Sequence, residues 1–299
     1  MRHLQFTFIL FLLLAIKSIA EYKEISKKEI LKEFWFYNQN KMPRLKKFTF
    51  SGEVIPYFIP EIRNCFYKEL KKIAKPGLYS EHLLKLCEIY LPSIERILVK
   101  NGLPKDMKYI AVCESNLINK SISKQNAAGI WQLMKETAIE LGLEVNEEVD
   151  ERFNIEKSTL AVCKLLSKNR DFFGSWSEAA VAYNMGNVAL YKAQKNQKTK
   201  DLYELSLNKE TSEYIFRILA YKEFIENAPL YGQNYPTKNQ PIAYDTIEIT
   251  NSITNLKNFC DKRNWNYYTF KKDNEWILGN TLTIKNSNGR YKILVRKFR

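Results

Sequence analysis

The sequence predicts a mainly α-helical protein that ends in a small α+β module. Up to about residue 232, apolar residues recur at intervals of three and four, as they do on the buried face of a helix. After a polar stretch that holds Pro236 and Pro241, one alternating segment, two helical segments and a second alternating segment follow. With 299 residues, the chain can bury a substantial core and hold more than one domain.

Prolines, glycines and capping residues divide the chain into elements. A helix over residues 62–73 precedes Pro76-Gly77, and a second over 81–91 precedes Pro92, which suits the first turn of a third helix. The remaining helices are predicted from 103–106 to Ser115-Asn116, over 135–141 and 158–166, from an N-cap at Ser175 or Ser177, and after residue 211. The module is predicted as a strand over 243–249, helices over 255–263 and 267–274, and a strand over 291–295.

The first twenty residues have the pattern of an export signal. Residues 6–16 form a short apolar core after Arg2, and Ser18-Ile19-Ala20 fits a small-x-small cleavage site. We therefore expect residues 1–20 to be a Sec-type signal peptide and the mature protein to be exported to the periplasm or cell envelope in soluble form.

The charge is strongly basic. The formal net charge is +14, and it is +12 once Arg2 and Lys17 are removed with the signal peptide. Such an excess favours polyanions, among them anionic headgroups and the carboxylate-bearing peptides of a cell wall. Because export makes nucleic acid the least expected partner, we predict no nucleic-acid binding and a peripheral association with the cell wall or a membrane surface.

Few residues are available for metal or histidine chemistry. The only histidines are His3 and His82, so neither a Ser-His-Asp triad nor a histidine-rich zinc site is expected. The five cysteines include no C-x-x-C pair, and those in helical patterns are expected to be buried small apolar residues. The sequence does not decide whether one disulfide forms.

Glu114 is the most informative residue. It shares a helical stripe with Ile110, Ala111 and Leu117, so its carboxylate is predicted to face the core. Burial raises the pKa of a carboxyl group and suits it to act as a general acid. The alternative is a glutamate at a helix end that pairs with a lysine or caps a loop.

Three later clusters each combine small residues, an aromatic ring and an amide or acid. They occupy residues 126–134, 182–186 and 209–215. Aromatic rings stack on sugars, and amides bind hydroxyl and acetamido groups, so the clusters favour a saccharide cleft. The alternatives are core packing for Trp131 and Met134, packing and a helix-end amide for Tyr183-Asn184, and a helix-start charge for Glu210.

Glu114-Ser115 and these clusters together resemble the catalytic domain of the lytic transglycosylases, glycoside hydrolase family 23 (SLT domain). The resemblance runs from about Tyr90 to Gly232 and covers four ordered motifs at matching separations. It implies a lysozyme-like (goose-type/SLT) helical catalytic domain over 93–232, after a helical N-terminal extension over 21–92. Residues 233–299 are then a linker and the small α+β module, whose element order resembles a degenerate LysM module.

The resemblance also implies the chemistry. Glu114 is the single acid/base, no metal or organic cofactor is needed, and the partner is the glycan strand of peptidoglycan. The bond between N-acetylmuramic acid and N-acetylglucosamine is cleaved with formation of a 1,6-anhydromuramyl end. The implied substrate-binding residues are Ser115, Gln132, Met134, Tyr183, Asn184, Glu210 and Tyr214.

The sequence leaves two alternative functions open. A goose-type lysozyme-like hydrolase would use water and a second carboxylate. A non-catalytic peptidoglycan-binding scaffold would keep the cleft without turnover. The chain departs from the family pattern at Lys135, where proline is usual, and at Met185, where a small residue is usual, and both differences affect the expected details of the cleft.

Overall fold

The computed structural model describes residues 48–75, 77–233, 243–285 and 289–297. The predicted signal peptide, the first part of the predicted N-terminal extension and nearly all of the predicted linker lie outside these residues. The helical and strand elements are named here in chain order: β1 (Thr49–Phe50), β2 (Glu53–Val54), α1 (Pro60–Ile73), α2 (Leu78–Lys100), α3 (Lys108–Ser115), α4 (Lys135–Glu140), α5 (Ile155–Phe173), α6 (Trp176–Met185), α7 (Asn187–Gln197), α8 (Lys209–Glu226), β3 (Tyr244–Ile249), α9 (Leu256–Asp261), α10 (Tyr267–Asp273) and β4 (Tyr291–Arg296).

Helix α8 lies at the centre of the helical part. It packs against α1, α3 and α6, and Ile218, Leu219 and Phe224 on it are fully buried. Its N-cap is Asn208, whose side chain accepts a hydrogen bond from the backbone N–H of Thr211. The predicted mainly α class is confirmed.

The predicted helix break at Pro92 is wrong. Helix α2 runs without interruption through Pro92, from residue 78 to residue 100. Proline removes one backbone hydrogen bond from a helix, but Pro92 is exposed, so the carbonyl group that loses its partner can face water. The buried residues Cys87, Leu91 and Ile94 keep the helical spacing on both sides of the proline.

A short N-terminal hairpin is attached to the start of α6. The carboxylate of Glu53 in β2 accepts hydrogen bonds from the backbone N–H groups of Trp176 (2.5 Å) and Ser177 (2.9 Å). The N-cap is Ser175, one of the two serines predicted for that position. A carboxylate at a helix N-terminus satisfies free N–H groups and complements the helix dipole, so Glu53 ties the hairpin to α6.

The C-terminal module has the predicted strand-helix-helix-strand order. Strands β3 and β4 pair antiparallel, with Tyr244 opposite Arg296 and Ile249 opposite Tyr291. Helices α9 and α10 pack against each other, and α10 packs against β4. The module is therefore α+β, as predicted.

The module shares a hydrophobic core with the helical part. Ala128, Val149 and Phe153 of the helical part join a buried cluster with Trp276 and Ile277 of the module. Within the ranges described, no helix has both the length and the apolarity that a membrane span requires.

Candidate active site

Glu114 lies in the last turn of α3, where the chain leaves the helix. Asn116 ends the helix in the left-handed conformation with φ of 52°, and its N–H donates to the carbonyl of Val112. The preceding residues Ile110, Ala111 and Val112 are fully buried, whereas Glu114 is only partly buried. The helix thus holds the carboxyl group at the border between core and solvent, which a catalytic acid needs.

Tyr214 holds this carboxyl group. Its hydroxyl donates to Glu114 Oε1 at 2.5 Å, and its ring is 1% exposed on α8. Because α8 packs directly against α3, the orientation of the acid is fixed by the contact between these two helices.

The surroundings shift the pKa of Glu114 in opposite directions. Burial has the largest effect and raises the pKa, which lies at about 7 rather than at an ordinary 4.5 when all effects act together. The Tyr214 hydrogen bond and the positive charge of Arg217 lower it, and the charge of Glu210 raises it. Both protonation states are therefore populated near neutral pH, as a group that alternates between acid and base requires.

Tyr183 and Asn184 lie at the end of α6. The Tyr183 hydroxyl donates to the backbone carbonyl of Trp131 at 2.5 Å, and burial followed by the charge of Glu114 holds its pKa well above the usual value. The Asn184 amide oxygen accepts from the Thr211 hydroxyl at 3.4 Å, which links the end of α6 to the start of α8.

Gln132 lies in the loop between α3 and α4, in the left-handed conformation with φ of 48°. Its amide nitrogen donates to the carbonyls of Ser121 (3.1 Å) and Gly129 (2.8 Å), which accounts for both amide hydrogens. Met134, at the N-cap of α4, is 40% exposed. The loop therefore shapes the position of Gln132, and Met134 is accessible at the surface.

Ser115 and Trp131, which adjoin Glu114 and Gln132 in the sequence, form hydrogen bonds within the fold. The hydroxyl of Ser115 is buried and donates to the carbonyl of Ile130 at 2.9 Å. The ring of Trp131 is fully buried, and its Nε1–H donates to the Thr159 hydroxyl at 3.0 Å. Core packing, the alternative given for Trp131, is thus confirmed, while substrate contact by Ser115 stays a prediction.

Glu210 is an exposed residue in the first turn of α8. Its charge reaches Glu114, although its effect on the pKa of Glu114 is smaller than those of burial, Tyr214 and Arg217. The structure therefore brings Glu210, Tyr214 and Tyr183 into the neighbourhood of the acid, from two of the three later clusters. Their roles toward a substrate stay predictions.

Arg217 is the residue that the sequence analysis missed. It follows Tyr214 by three residues on α8, and its Nε lies 3.2 Å from Oε2 of Glu69, a carboxylate on α1 that is 2% exposed. The spacing of residues 210, 214, 217 and 221 on one helix face is the signal that points to it. Its partner on α1 is set by tertiary packing and has no signal in the sequence.

The described residues hold neither a metal-ligand cluster nor a disulfide. The described residues contain no group of three or more His, Cys, Asp or Glu side chains placed to hold a metal ion. All five cysteines are described and unpaired. Of the three in predicted helical patterns, Cys87 and Cys163 are buried as expected for small apolar residues, whereas Cys113 is only partly buried.

We expect Glu114→Gln to stabilise the fold at high pH. A carboxyl group whose pKa is raised on folding stabilises the native state below pH 4.5, and this contribution is lost as the pH rises through about 7. Glutamine carries no such cost and still accepts the Tyr214 hydrogen bond, so the variant should gain up to about 3 kcal/mol over the native chain at pH 8 and little at pH 4. Urea unfolding at both pH values measures this difference.

Glu213→Gln is the matched control on the same helix. The Lys68 hydrogen bond holds the pKa of Glu213 below its usual range, so this contribution to stability is lost as the pH falls. The control should therefore show no gain at pH 8. Equal gains for Glu114→Gln at pH 4 and pH 8 would contradict the burial of a charged Glu114.

Comparisons with known proteins give two domain matches. Residues 93–206 match the transglycosylase SLT domain model, and residues 245–297 match the model of the soluble lytic transglycosylase C-terminal LysM-like domain. The first match contains Glu114, Gln132 and Tyr183 and ends before Glu210. The domain borders predicted at 20, 92 and 232 remain predictions.

Two curated proteins are similar to parts of this chain. The chain is 26% identical over 239 residues to membrane-bound lytic murein transglycosylase D of Escherichia coli K12, covering 78% of this chain and 52% of the relative. It is 28% identical over 114 residues to a putative tributyltin chloride resistance protein of Alteromonas sp. strain M-1, covering 38% of this chain and 55% of that protein. The chain thus spans about half the length of these curated relatives.

Among solved structures, the chain is similar to an inactive mutant of the lytic transglycosylase Slt from Pseudomonas aeruginosa. The TM-score is 0.38 at 18% identity, over 67% of this chain and 33% of that chain. The resemblance drawn from the four sequence motifs is confirmed by the domain matches and the curated relatives. This chain is therefore similar to the transglycosylase SLT domain over residues 93–206 and to the LysM-like domain over residues 245–297.

Proposed function

We propose that this chain is a peptidoglycan lytic transglycosylase with Glu114 as its single acid/base. The observation that carries the proposal is the partly buried Glu114 carboxyl, which lies in the segment that matches the SLT domain, has a pKa raised to about 7 and accepts a hydrogen bond from Tyr214 of α8. The relatives named as lytic transglycosylases support the same reaction class. Since a murein transglycosylase acts on the cell wall, we propose the cell envelope as the location and peptidoglycan strands as the partner.

The reaction needs one proton donor that later accepts a proton. Protonated Glu114 donates to the glycosidic oxygen between N-acetylmuramic acid and N-acetylglucosamine, and the bond from carbon 1 to that oxygen breaks. The resulting carboxylate takes the proton from the muramyl 6-hydroxyl, whose oxygen forms the new bond to carbon 1. Glu114 ends protonated, the product is a 1,6-anhydromuramyl end, and no water is consumed.

The neighbours of Glu114 fit this cycle. The hydrogen bond from Tyr214 favours the carboxylate form, which lowers the cost of giving up the proton. The substrate's acetamido oxygen stabilises positive charge at carbon 1. We assign the geometry of that sugar to Gln132, Asn184 and Tyr183, of which Tyr183 lies near enough to Glu114 for the charge of the acid to raise its pKa. We assign more distant contacts to Ser115, Met134 and Glu210.

Glu114→Gln should abolish product formation. The variant retains the Tyr214 contact but has no proton to transfer, so turnover should fall by roughly 10²–10⁴-fold. The native chain and the variant are incubated with isolated sacculi, and the released muropeptides are identified by mass spectrometry. Anhydro products from the native chain alone support the proposal, whereas substantial release by the variant contradicts it.

Glu210 gives the hydrolase alternative a specific candidate. An inverting glycosidase has a second carboxylate about 6.5–9.5 Å from its acid, which activates a water molecule. The charge of Glu210 reaches Glu114, and its exposed position would admit water. We favour transglycosylation because the SLT match and the relatives point to it, and the two reactions give different products.

The variant Glu210→Gln distinguishes transglycosylation from hydrolysis. Under our proposal the products remain anhydro sugars, kcat/KM falls less than about tenfold, and the alkaline limb of the pH profile shifts to lower pH, because Glu210 raises the pKa of Glu114. A loss of roughly 10²–10⁴-fold, with reducing ends from the native chain, would establish the hydrolase. Glu213→Gln, three residues along the same helix and paired with Lys68, is the control for surface charge.

A further inference from the structure

The C-terminal module pairs directly with the segment that follows α4. Val149 and Ile277 form an antiparallel bridge. Two backbone hydrogen bonds flank it: the N–H of Asp150 donates to the Trp276 carbonyl at 2.9 Å, and the N–H of Leu278 donates to the Glu148 carbonyl at 2.8 Å. Backbone pairing of this kind fixes the register between the two parts, which a flexible tether would not do.

Side chains reinforce the same contact, which we call the module seam. Glu148 accepts hydrogen bonds from the hydroxyl of Thr281 (2.5 Å) and from the N–H of Thr283 (3.0 Å). Glu144 accepts from Lys285 (2.7 Å) and from the Tyr291 hydroxyl (2.7 Å).

The interior of the seam is apolar and closely packed. Val149 and Ile277 are each 1% exposed and Trp276 is 3% exposed. Ala128, from the loop that carries Gln132, is fully buried in the same cluster. Apolar surface of the loop that carries Gln132 is thus buried against the module, and this burial stabilises the contact between them.

A second contact leads from the seam to the loop. The carboxylate of Asp150, whose N–H bonds to the module, forms a buried ion pair with Arg152 at 2.7 Å. Arg152 donates to the carbonyls of Asn126 (2.8 Å) and Leu133 (3.1 Å), at the two ends of the loop segment 126–133.

The loop has little freedom to take another position. Gly129 has φ of +82°, and a Cβ atom there would lie 2.1 Å from the carbonyl oxygen of Arg152. Asn119, in the first part of the loop, donates to the Glu275 carboxylate of the module at 2.8 Å. The loop therefore lies tightly between Arg152 and the module.

We infer that the C-terminal module is a positioning element of the cleft, which fixes the loop of residues 126–134, with Gln132, through the module seam. This role is distinct from glycan capture, which a LysM-like domain would perform at a distance. The positioning residue at the centre of the seam is Glu148. The inference rests on the proposed function only in the part of its test that measures catalytic activity.

The test weakens the seam in the full-length chain by Glu148→Ala. Hydrogen exchange of the amides of Ala128, Gln132 and Leu133 should become at least about tenfold faster, because their hydrogen bonds then open more often. With a soluble tetrasaccharide of alternating N-acetylglucosamine and N-acetylmuramic acid, kcat/KM should fall roughly tenfold, since small displacements of a positioning group are costly. Glu148→Gln, which keeps an acceptor for Thr281, should recover most of both.

The matched control is Glu248→Ala. Glu248 is an exposed acid of the module that pairs at 3.2 Å with Arg290, inside the module. Its removal should leave loop exchange and tetrasaccharide kinetics within about twofold of the native chain, because an exposed pair contributes little.

A cross-link across the seam keeps the test decisive if Glu148→Ala loosens the whole fold. Val149 and Ile277 form a non-hydrogen-bonded pair, whose Cα atoms lie about 4.5 Å apart in such bridges and accept a disulfide. With Val149→Cys and Ile277→Cys added to Glu148→Ala, oxidation should restore loop protection and kcat/KM to within about twofold of the native chain, and reduction should reverse this.

Unchanged loop exchange and unchanged tetrasaccharide kinetics in Glu148→Ala would overturn the inference, and so would a closed cross-link that restores neither. A chain that shows the exchange changes but has no activity in its native form would support the inference and refute only the proposed function.

Discussion

The site depends on placing one carboxyl group at the edge of a hydrophobic core. Removal of water from Glu114 raises its pKa to about 7, and the hydroxyl of Tyr214 prevents a larger rise. Such a group costs stability whenever it is charged, because a buried charge loses hydration. The surrounding helices therefore have to supply enough packing to hold it, and the full burial of Ile110, Ala111 and Val112 beside it shows where that packing lies.

Two elements outside the matched SLT segment complete the site. Helix α8 begins after residue 206 and brings Glu210, Tyr214 and Arg217 to the acid on one face. Arg217 is in turn held by buried Glu69 on α1, so the N-terminal helix takes part in the electrostatics of Glu114. On the other side, the C-terminal module packs against the loop that carries Gln132. The surroundings of the acid and of the Gln132 loop thus depend on elements before and after the matched segment.

Much of this arrangement could be predicted from the spacing of apolar residues in the sequence. The helical stripe placed Glu114 toward the core, and the alternating and helical patterns of the module gave its element order and approximate bounds. Pro92 was misjudged because its exposure, which makes it tolerable inside a helix, depends on packing that a sequence does not display. The Arg217–Glu69 pair and the Val149–Ile277 bridge join residues more than 100 positions apart, so no local pattern could predict them. The partner of Tyr183 is a backbone carbonyl, which has no residue signature.

The most direct measurement is a titration of the Glu114 carboxyl carbon by NMR, with Glu114→Gln used to assign the resonance. We expect a midpoint near pH 7, set first by burial and lowered in part by Tyr214 and Arg217. Tyr214→Phe, which keeps the ring and removes the donor, should move the midpoint upward. A midpoint near 4.5 would show a hydrated carboxylate, and the proposed acid/base cycle of Glu114 would then lack its proton at neutral pH.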